Sequence, residues 1–174
     1  MTGKRPRPPF DDDSLRELAL RYVGRFATSR AKLLAYLNRK LQERGWGGEA
    51  PPQPERLVER LTELRYVDDA SYAAMKSASL ARRGYGARRV AESLRADGIA
   101  DADRTEADSH TRNEAWAAAE RFARRKRLGP FAQTSPDPRQ REKWIAAFLR
   151  AGHSYATARR WTDAAPGEVP EEDD

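Results

Sequence analysis

Arg82-Arg83-Gly84-Tyr85-Gly86-Ala87-Arg88-Arg89-Val90 sets one aromatic ring between two glycines and flanks it on each side with an arginine pair. The stretch reads as the end of one helix, a tight turn and the start of another. Its glycines supply positive φ at a helix C-terminus and let the chain reverse within a few residues. Four guanidiniums offer planar, multi-donor partners to phosphate or carboxylate. The local geometry is helical, and the chemistry is that of a contact surface for something acidic.

Working outward, the same punctuation recurs. Upstream, Asp68 or Asp69 caps an alanine-rich helix that runs through Tyr72, Ala73 and Leu80 to Gly84. Before it, Leu57, Val58, Leu61 and Leu64 form a helical stripe after a Gly/Pro-rich connection over residues 46–54. Thr28 or Ser29 caps a helix with Leu33, Leu34, Leu37 and Leu41 inward and Gly45 at its end. The first helix is read from a Ser14/Glu17 capping box ahead of Leu15, Leu18, Ala19, Tyr22, Val23 and Phe26.

Downstream, Val90, Ala91 and Leu94 make a short helix closed by Gly98, with Ile99 folding back on its last turn. Over residues 101–113 the pattern weakens into polar and small residues and predicts a marginal sixth helix. Thr111 and Glu114 offer a second capping box, before a helix with Trp116, Ala119, Phe122 and Ala123 that ends in a basic run and is stopped by Pro130. Asp137-Pro138 opens a helix with Trp144, Ile145, Phe148 and Leu149, and Ser154 caps a last one through Tyr155, Ala158 and Trp161. No stretch reads as a strand.

The helix-closing glycines at 45, 98 and 152 are 53 and 54 residues apart. Near-equal spacing predicts a duplicated and stacked supersecondary unit. The expected architecture is all-α, a curved, elongated tandem array of three three-helix repeats. Residues 1–13 are expected as a disordered N-terminal tail, 14–67, 68–110 and 111–164 as the repeats, and 165–174 as a disordered acidic tail.

Composition agrees with a thin helical assembly: 39% of the 174 residues are hydrophobic and 34% charged. The net charge of +6 favours an acidic partner such as nucleic acid or a nucleoprotein over a membrane. There is no cysteine, which rules out disulfides, a thiol nucleophile and cysteine zinc sites. The N-terminal stretch has no apolar segment resembling a signal peptide, and no run reaches the roughly 18 apolar residues of a membrane span. A soluble, cytoplasmic protein is expected, monomeric by default.

The chain resembles the RecX family, regulators of the bacterial RecA recombinase, and is most similar to its alphaproteobacterial members. The likeness covers roughly residues 15–161. It is carried by Leu64-Arg65-Tyr66-Val67-Asp68-Asp69-Ala70-Ser71-Tyr72-Ala73, by Arg82-Arg83-Gly84-Tyr85-Gly86 at the family's spacing, and by Val90 to Ile99. Ser29-Arg30-Ala31 and Gly152-His153-Ser154-Tyr155 support it. The resemblance implies a curved helical array that docks in the groove of the RecA–DNA filament and restrains its ATP hydrolysis, coprotease function and strand exchange. Recombination, DNA repair and the SOS response would be modulated accordingly. Departures are the proline-rich insertion after Gly45, the polar segment near Ser109, and His153 where an aromatic or aliphatic residue is common.

The candidate contact residues are Arg82, Arg83, Tyr85, Arg88 and Arg89, followed by Arg124, Arg125 and Lys126. In the functional reading the cations face phosphate or acidic side chains and Tyr85 supplies a flat apolar contact. In the structural one Tyr85 is a wedge between helices and the arginines are solvated charge favoured by the helix C-terminal dipole. Both hold together if a buried ring aims exposed arginines. Trp116, Trp144 and Trp161 sit at helical spacing among apolar residues and are expected in the core, whereas Trp46 stands in a polar loop open to exposure.

Nothing in the sequence has the make-up of an active site. His110 and His153 lack the carboxylate or cysteine company of a zinc site, so no metal and no cofactor are expected. Asp68 and Asp69 suit capping better than acid–base work, and Gly84-Tyr85-Gly86 lacks the lysine and hydroxyl of a phosphate loop. The alternative is a helical nucleic-acid-binding module or transcription factor, since three-helix units include helix-turn-helix geometry. That reading predicts base-dependent duplex binding; the filament reading predicts weak, salt-dependent binding to single- and double-stranded DNA and tighter binding with recombinase present. A structural adaptor without DNA contact would capture its partner even after nuclease treatment.

Overall fold

The computed structural model describes residues 7–172, and over that span the fold is all-α. The helices are α1 (Asp12–Val23), α2 (Arg30–Arg44), α3 (Pro54–Glu63), α4 (Asp69–Arg82), α5 (Ala87–Ala96), α6 (Asp101–Asn113), α7 (Ala115–Lys126), α8 (Pro138–Arg150) and α9 (Tyr155–Asp163). A short 3-10 turn, Gly129–Phe131, follows α7. The only extended pairing among the described residues is an isolated bridge between Phe10 and Trp46.

Local chemistry explains most of the boundaries. Ser29 accepts a hydrogen bond from the Lys32 amide, Asp137 from Gln140 and Ser154 from Thr157, so three helix starts are side-chain capped as their sequences predict. Gly45, Gly98 and Gly152 all have positive φ, at 82°, 75° and 94°. These are the helix ends at which a side chain would be strained.

Four expectations are corrected. The α1 capping box is Asp11 with Ser14 rather than Ser14 with Glu17: the Asp11 carboxylate accepts from the Ser14 amide at 2.9 Å, and the Ser14 hydroxyl accepts from the Asp11 amide at 3.0 Å. An acid one turn earlier captures the free amides first. Phe26 leaves the helical stripe, because α1 stops at Val23 and the residue is 55% exposed in the following turn. Leu64 likewise lies beyond α3 and is exposed. The second capping box does not form: Thr111 is buried within α6, its hydroxyl donating to the Ala107 carbonyl at 2.7 Å, and Glu114 makes no capping bond. The polar segment forms the sixth helix expected over residues 101–113, held by buried Ala107 and Thr111 and by Arg104, which pairs with Asp101 and Asp108.

The expected tails divide. Residues 1–6 and 173–174 lie outside the described residues. Phe10, inside the expected N-terminal tail, is buried, and its backbone exchanges hydrogen bonds with Gly45 and Gly47. Near the other end, the Gly167 amide donates to the Pro130 carbonyl at 2.8 Å.

The chain packs as two compact units. The first contains the described residues up to Tyr72 together with Asp97–Ile99. Its core joins Phe10, Leu15, Ala19, Leu33, Leu37, Val58, Leu61 and Val67. Trp46 is half-buried against this core, with its indole N–H donating to the Ala50 carbonyl at 2.7 Å, so the polar loop does not leave it in solvent. A polar cluster closes the unit. Ser29 Oγ donates to the Asp97 carbonyl at 2.7 Å, Tyr72 donates to the Asp97 carboxylate at 2.6 Å, and Lys32 reaches Tyr72 at 3.2 Å. Burial, and then the bond to Asp97, raises the Tyr72 phenol above its ordinary pKa.

The second unit holds Ala73–Ala96 and the described residues from Ala100 on. Phe122, Ile145, Phe148, Ala158 and Trp161 fill its core. Trp161 is fully buried, whereas Trp116 and Trp144 are only half-buried against it, because each lies at the edge of its helix's apolar stripe. Arg141 forks onto Asp163, tying α8 to α9.

Candidate functional site

The turn between α4 and α5 is positioned by backbone contact within the second unit. The Gly86 amide donates to the Ala151 carbonyl at 2.9 Å and the Arg88 amide to the Gly152 carbonyl at 3.2 Å. A Cβ on Gly86 would lie 2.4 Å from the Gly152 carbonyl carbon, so this glycine serves close approach rather than positive φ. Gly84 does take positive φ, 79°, and a Cβ there would meet the Phe122 amide nitrogen at 2.8 Å. Glycine chemistry at both positions therefore seats the turn against α7 and against the α8–α9 corner.

His153 locks this arrangement from beneath. It is buried, with ring centroids 5.5 Å from both Phe122 and Phe148, and its Nε2–H donates to the Gly84 carbonyl at 3.1 Å. Burial pushes its pKa down to about 4, outweighing the opposing bond to Gly84. The imidazole is neutral at pH 7. The departure noticed in the sequence is a polar strut between two turns.

With the turn so placed, Arg83, Tyr85, Arg125 and Lys126 converge with Arg150 around an open hollow of about 480 Å³ floored by Phe122, Ala147 and Ala151. Tyr85 is half-buried on the core, and the guanidiniums of Arg83 and Arg125 lie 5.4 and 5.9 Å from its ring centroid. Arg125 also donates to the Arg83 carbonyl, satisfying a group at the end of α4. Arg83, Arg125, Lys126 and Arg150 are exposed or half-exposed and form no ion pair with the described residues. Four cations around one hollow without an acidic partner among the described residues concentrate positive charge there.

The remaining candidates are placed differently. Arg82 is exposed and does not line the hollow. Arg88 and Arg89 share Glu92, each at 3.8 Å, and Arg88 also donates to the Leu149 carbonyl at the end of α8. Arg124 pairs with Glu120 at 2.7 Å and stacks 4.4 Å from the Phe131 centroid. Arg150 is the member sequence reading missed. It is a lone arginine in the last turn of α8, where a helix-end charge is unremarkable.

No metal-ligating cluster occurs among the described residues, and no helix is long and apolar enough to cross a membrane.

No family model matches the chain. Curated relatives do. The regulatory protein RecX of Myxococcus xanthus is 35% identical over 172 residues, covering 94% of this chain and 91% of its own. The regulatory protein RecX of Mycobacterium ulcerans is 29% identical over 91% of this chain and 90% of its own. That of Agrobacterium fabrum is 33% identical over 53% of this chain, so the narrower likeness to alphaproteobacterial members is not shown. The crystal structure of RecX from Lactobacillus salivarius superposes with a TM-score of 0.59 at 19% identity, covering 84% of this chain and 90% of that one, and shares the fold. A second crystal structure of a regulatory protein RecX gives 0.63 at 20% identity, covering 94% and 81%. Near full-length identity to a curated RecX, on a matching helical fold, places this chain in the RecX family of regulatory proteins.

Proposed function

We propose that this chain is a noncatalytic regulator that binds the RecA–DNA nucleoprotein filament in the cytoplasm and suppresses its ATP hydrolysis, coprotease function and strand exchange. Membership of the family supports the regulatory role. The observation that carries the docking surface is the hollow around Tyr85, where Arg83, Arg125, Lys126 and Arg150 stand without an acidic partner among the described residues. Cations held near an aromatic face suit phosphate or carboxylate on the filament. The protein acts as a monomer built from three three-helix repeats with boundaries near residues 67 and 110. It biases the filament only as far as it binds one filament state better than another. DNA alone is held weakly and in a salt-dependent way.

The test is a titration into RecA filaments preformed on single-stranded DNA, following ATP hydrolysis and direct binding, with recombinase-free DNA as control. Inhibition is expected for the native chain. Joint reversal of Arg83, Arg125 and Arg150 to glutamate should abolish it with helical content and cooperative melting retained. Reversal of Arg88 and Arg89, which share Glu92 and lie outside the hollow, should weaken it far less. A folded triple variant that still inhibits fully overturns the assignment. Base-dependent discrimination among duplexes would favour a sequence-reading DNA module instead.

A further inference from the structure

The first unit carries a second open hollow, of about 890 Å³, that the basic turn does not contribute to. Its wall is an aromatic ladder. Tyr36 and Tyr22 stack with centroids 4.1 Å apart and planes at 21°, and Phe26 follows at 5.2 Å from Tyr22 with its plane tilted by 48°. Phe26 is pinned by its amide, which donates to the Tyr22 carbonyl at 3.0 Å, yet the residue is 55% exposed. The row of rings therefore ends on an exposed phenylalanine.

The charges around the ladder are unbalanced. Arg7, Arg21, Arg25, Lys40 and Arg44 line the hollow against only Glu17 and Glu43. Glu17 is engaged by Arg21 and Glu43 by Lys40, and no acidic residue pairs with Arg25 or Arg44 among the described residues. The Arg44 guanidinium instead lies 4.1 Å from the Phe10 centroid, on the rim of the same hollow.

We infer that this hollow is a stacking site for single-stranded nucleic acid, in which an unpaired base extends the Tyr36–Tyr22–Phe26 ladder on Phe26 and the surplus arginines hold the flanking phosphates. Every base presents a π face to such a platform, so binding is tolerant of sequence, and a basic groove tracks the backbone. A duplex, whose bases are already stacked on each other, cannot use the exposed phenylalanine. An acidic peptide without an aromatic side chain matches the charge but leaves the end of the ladder without a planar partner.

The experiment needs no recombinase, so its outcome is separate from that of filament inhibition. Affinity of the full chain is measured by anisotropy for fluorescein-labelled oligothymidylate of about 15 nucleotides and for an abasic phosphodiester of the same length. The ratio of the two dissociation constants isolates stacking from charge contributed anywhere on the protein. Loss of the bases should weaken binding at least about fivefold, the lower end expected for one stacked base. In Phe26→Ala and Phe26→Leu the ratio should fall to near one, and in Phe26→Trp it should be kept. The leucine variant retains apolar bulk, so it separates loss of the aromatic face from any loosening of the turn. A ratio near one in the native chain, or one unchanged in both the alanine and leucine variants, overturns the inference. So does an acidic, phenylalanine-bearing peptide that displaces oligothymidylate at equal or lower concentration than unlabelled oligothymidylate does.

Discussion

Acidifying the solution should unfasten the second unit through His153. Its pKa falls from 6.5 to about 4 on folding, so between those values the unfolded chain binds more protons than the folded one. Stability therefore rises with pH across this window and is lost as pH falls from 6.5 towards 4. A shift of about 2.5 units corresponds to about 3.4 kcal/mol in full, of which about 2.4 kcal/mol is lost between pH 7 and 4.5. The carboxyls of Asp68 and Asp163 are held below their ordinary value, Asp68 chiefly by the Ser71 amide and Asp163 by Arg141. Their contribution is complete above the unfolded value of 3.8 and disappears only below it, so the windows separate.

Denaturant unfolding at pH steps from 7.5 to about 4.5, followed by tryptophan fluorescence, reports on the relevant region of the molecule. Three of the four tryptophans, Trp116, Trp144 and Trp161, lie in the second unit. His153→Phe supplies the comparison. The ring remains between Phe122 and Phe148, the bond to the Gly84 carbonyl is lost at about 1 kcal/mol, and the titration disappears. The native chain should lose about 2.4 kcal/mol more than the variant over the range, a difference that parallel pH dependences would refute.

Two further outcomes follow from neighbouring contacts. Gly86→Ala should destabilise the chain by about 3 kcal/mol or more, because its Cβ would sit 2.4 Å from the Gly152 carbonyl and force apart the backbone hydrogen bonds that Gly86 and Arg88 make across the turns. A melting temperature unchanged from the native chain would show that the turns do not depend on this approach. Asp69→Asn should cost about 1–2 kcal/mol, since the Asp69 side chain is buried and receives both the Arg30 amide, at 2.8 Å, and the Arg30 guanidinium, at 3.0 Å. Asp68→Asn should cost under about 0.5 kcal/mol, asparagine being as good a cap. Equal losses in urea unfolding of the two variants would remove the distinction between these adjacent acids.

Asp68 and Asp69 show where the reading of the chain stops. Either suits the start of α4, and one-dimensional spacing cannot rank them. The fold divides the work, giving Asp68 the Ser71 amide and turning Asp69 to Arg30, 39 residues away. The same limit hid Thr111, whose hydroxyl finds a carbonyl inside α6 rather than the amides of the next helix. Phe26 departs from its expected place for a related reason: periodicity continues past Val23, but the chain does not remain helical.

Sequence alone settled the helical class, the terminating glycines and the caps at Asp137 and Ser154, and narrowed the cap of α2 to Thr28 or Ser29, because each depends on groups within a few residues of one another. It also singled out Arg83, Tyr85, Arg125 and Lys126, since clustered charge beside glycine is visible in one dimension. Only tertiary packing chose among the cations. Contact of Gly86 with Gly152 and of Gly84 with Phe122 brings Arg150 into the group and leaves Arg88 and Arg89 to Glu92. Which charges remain unneutralised depends on distances between residues far apart along the chain, and those exist only once the backbone has closed on itself.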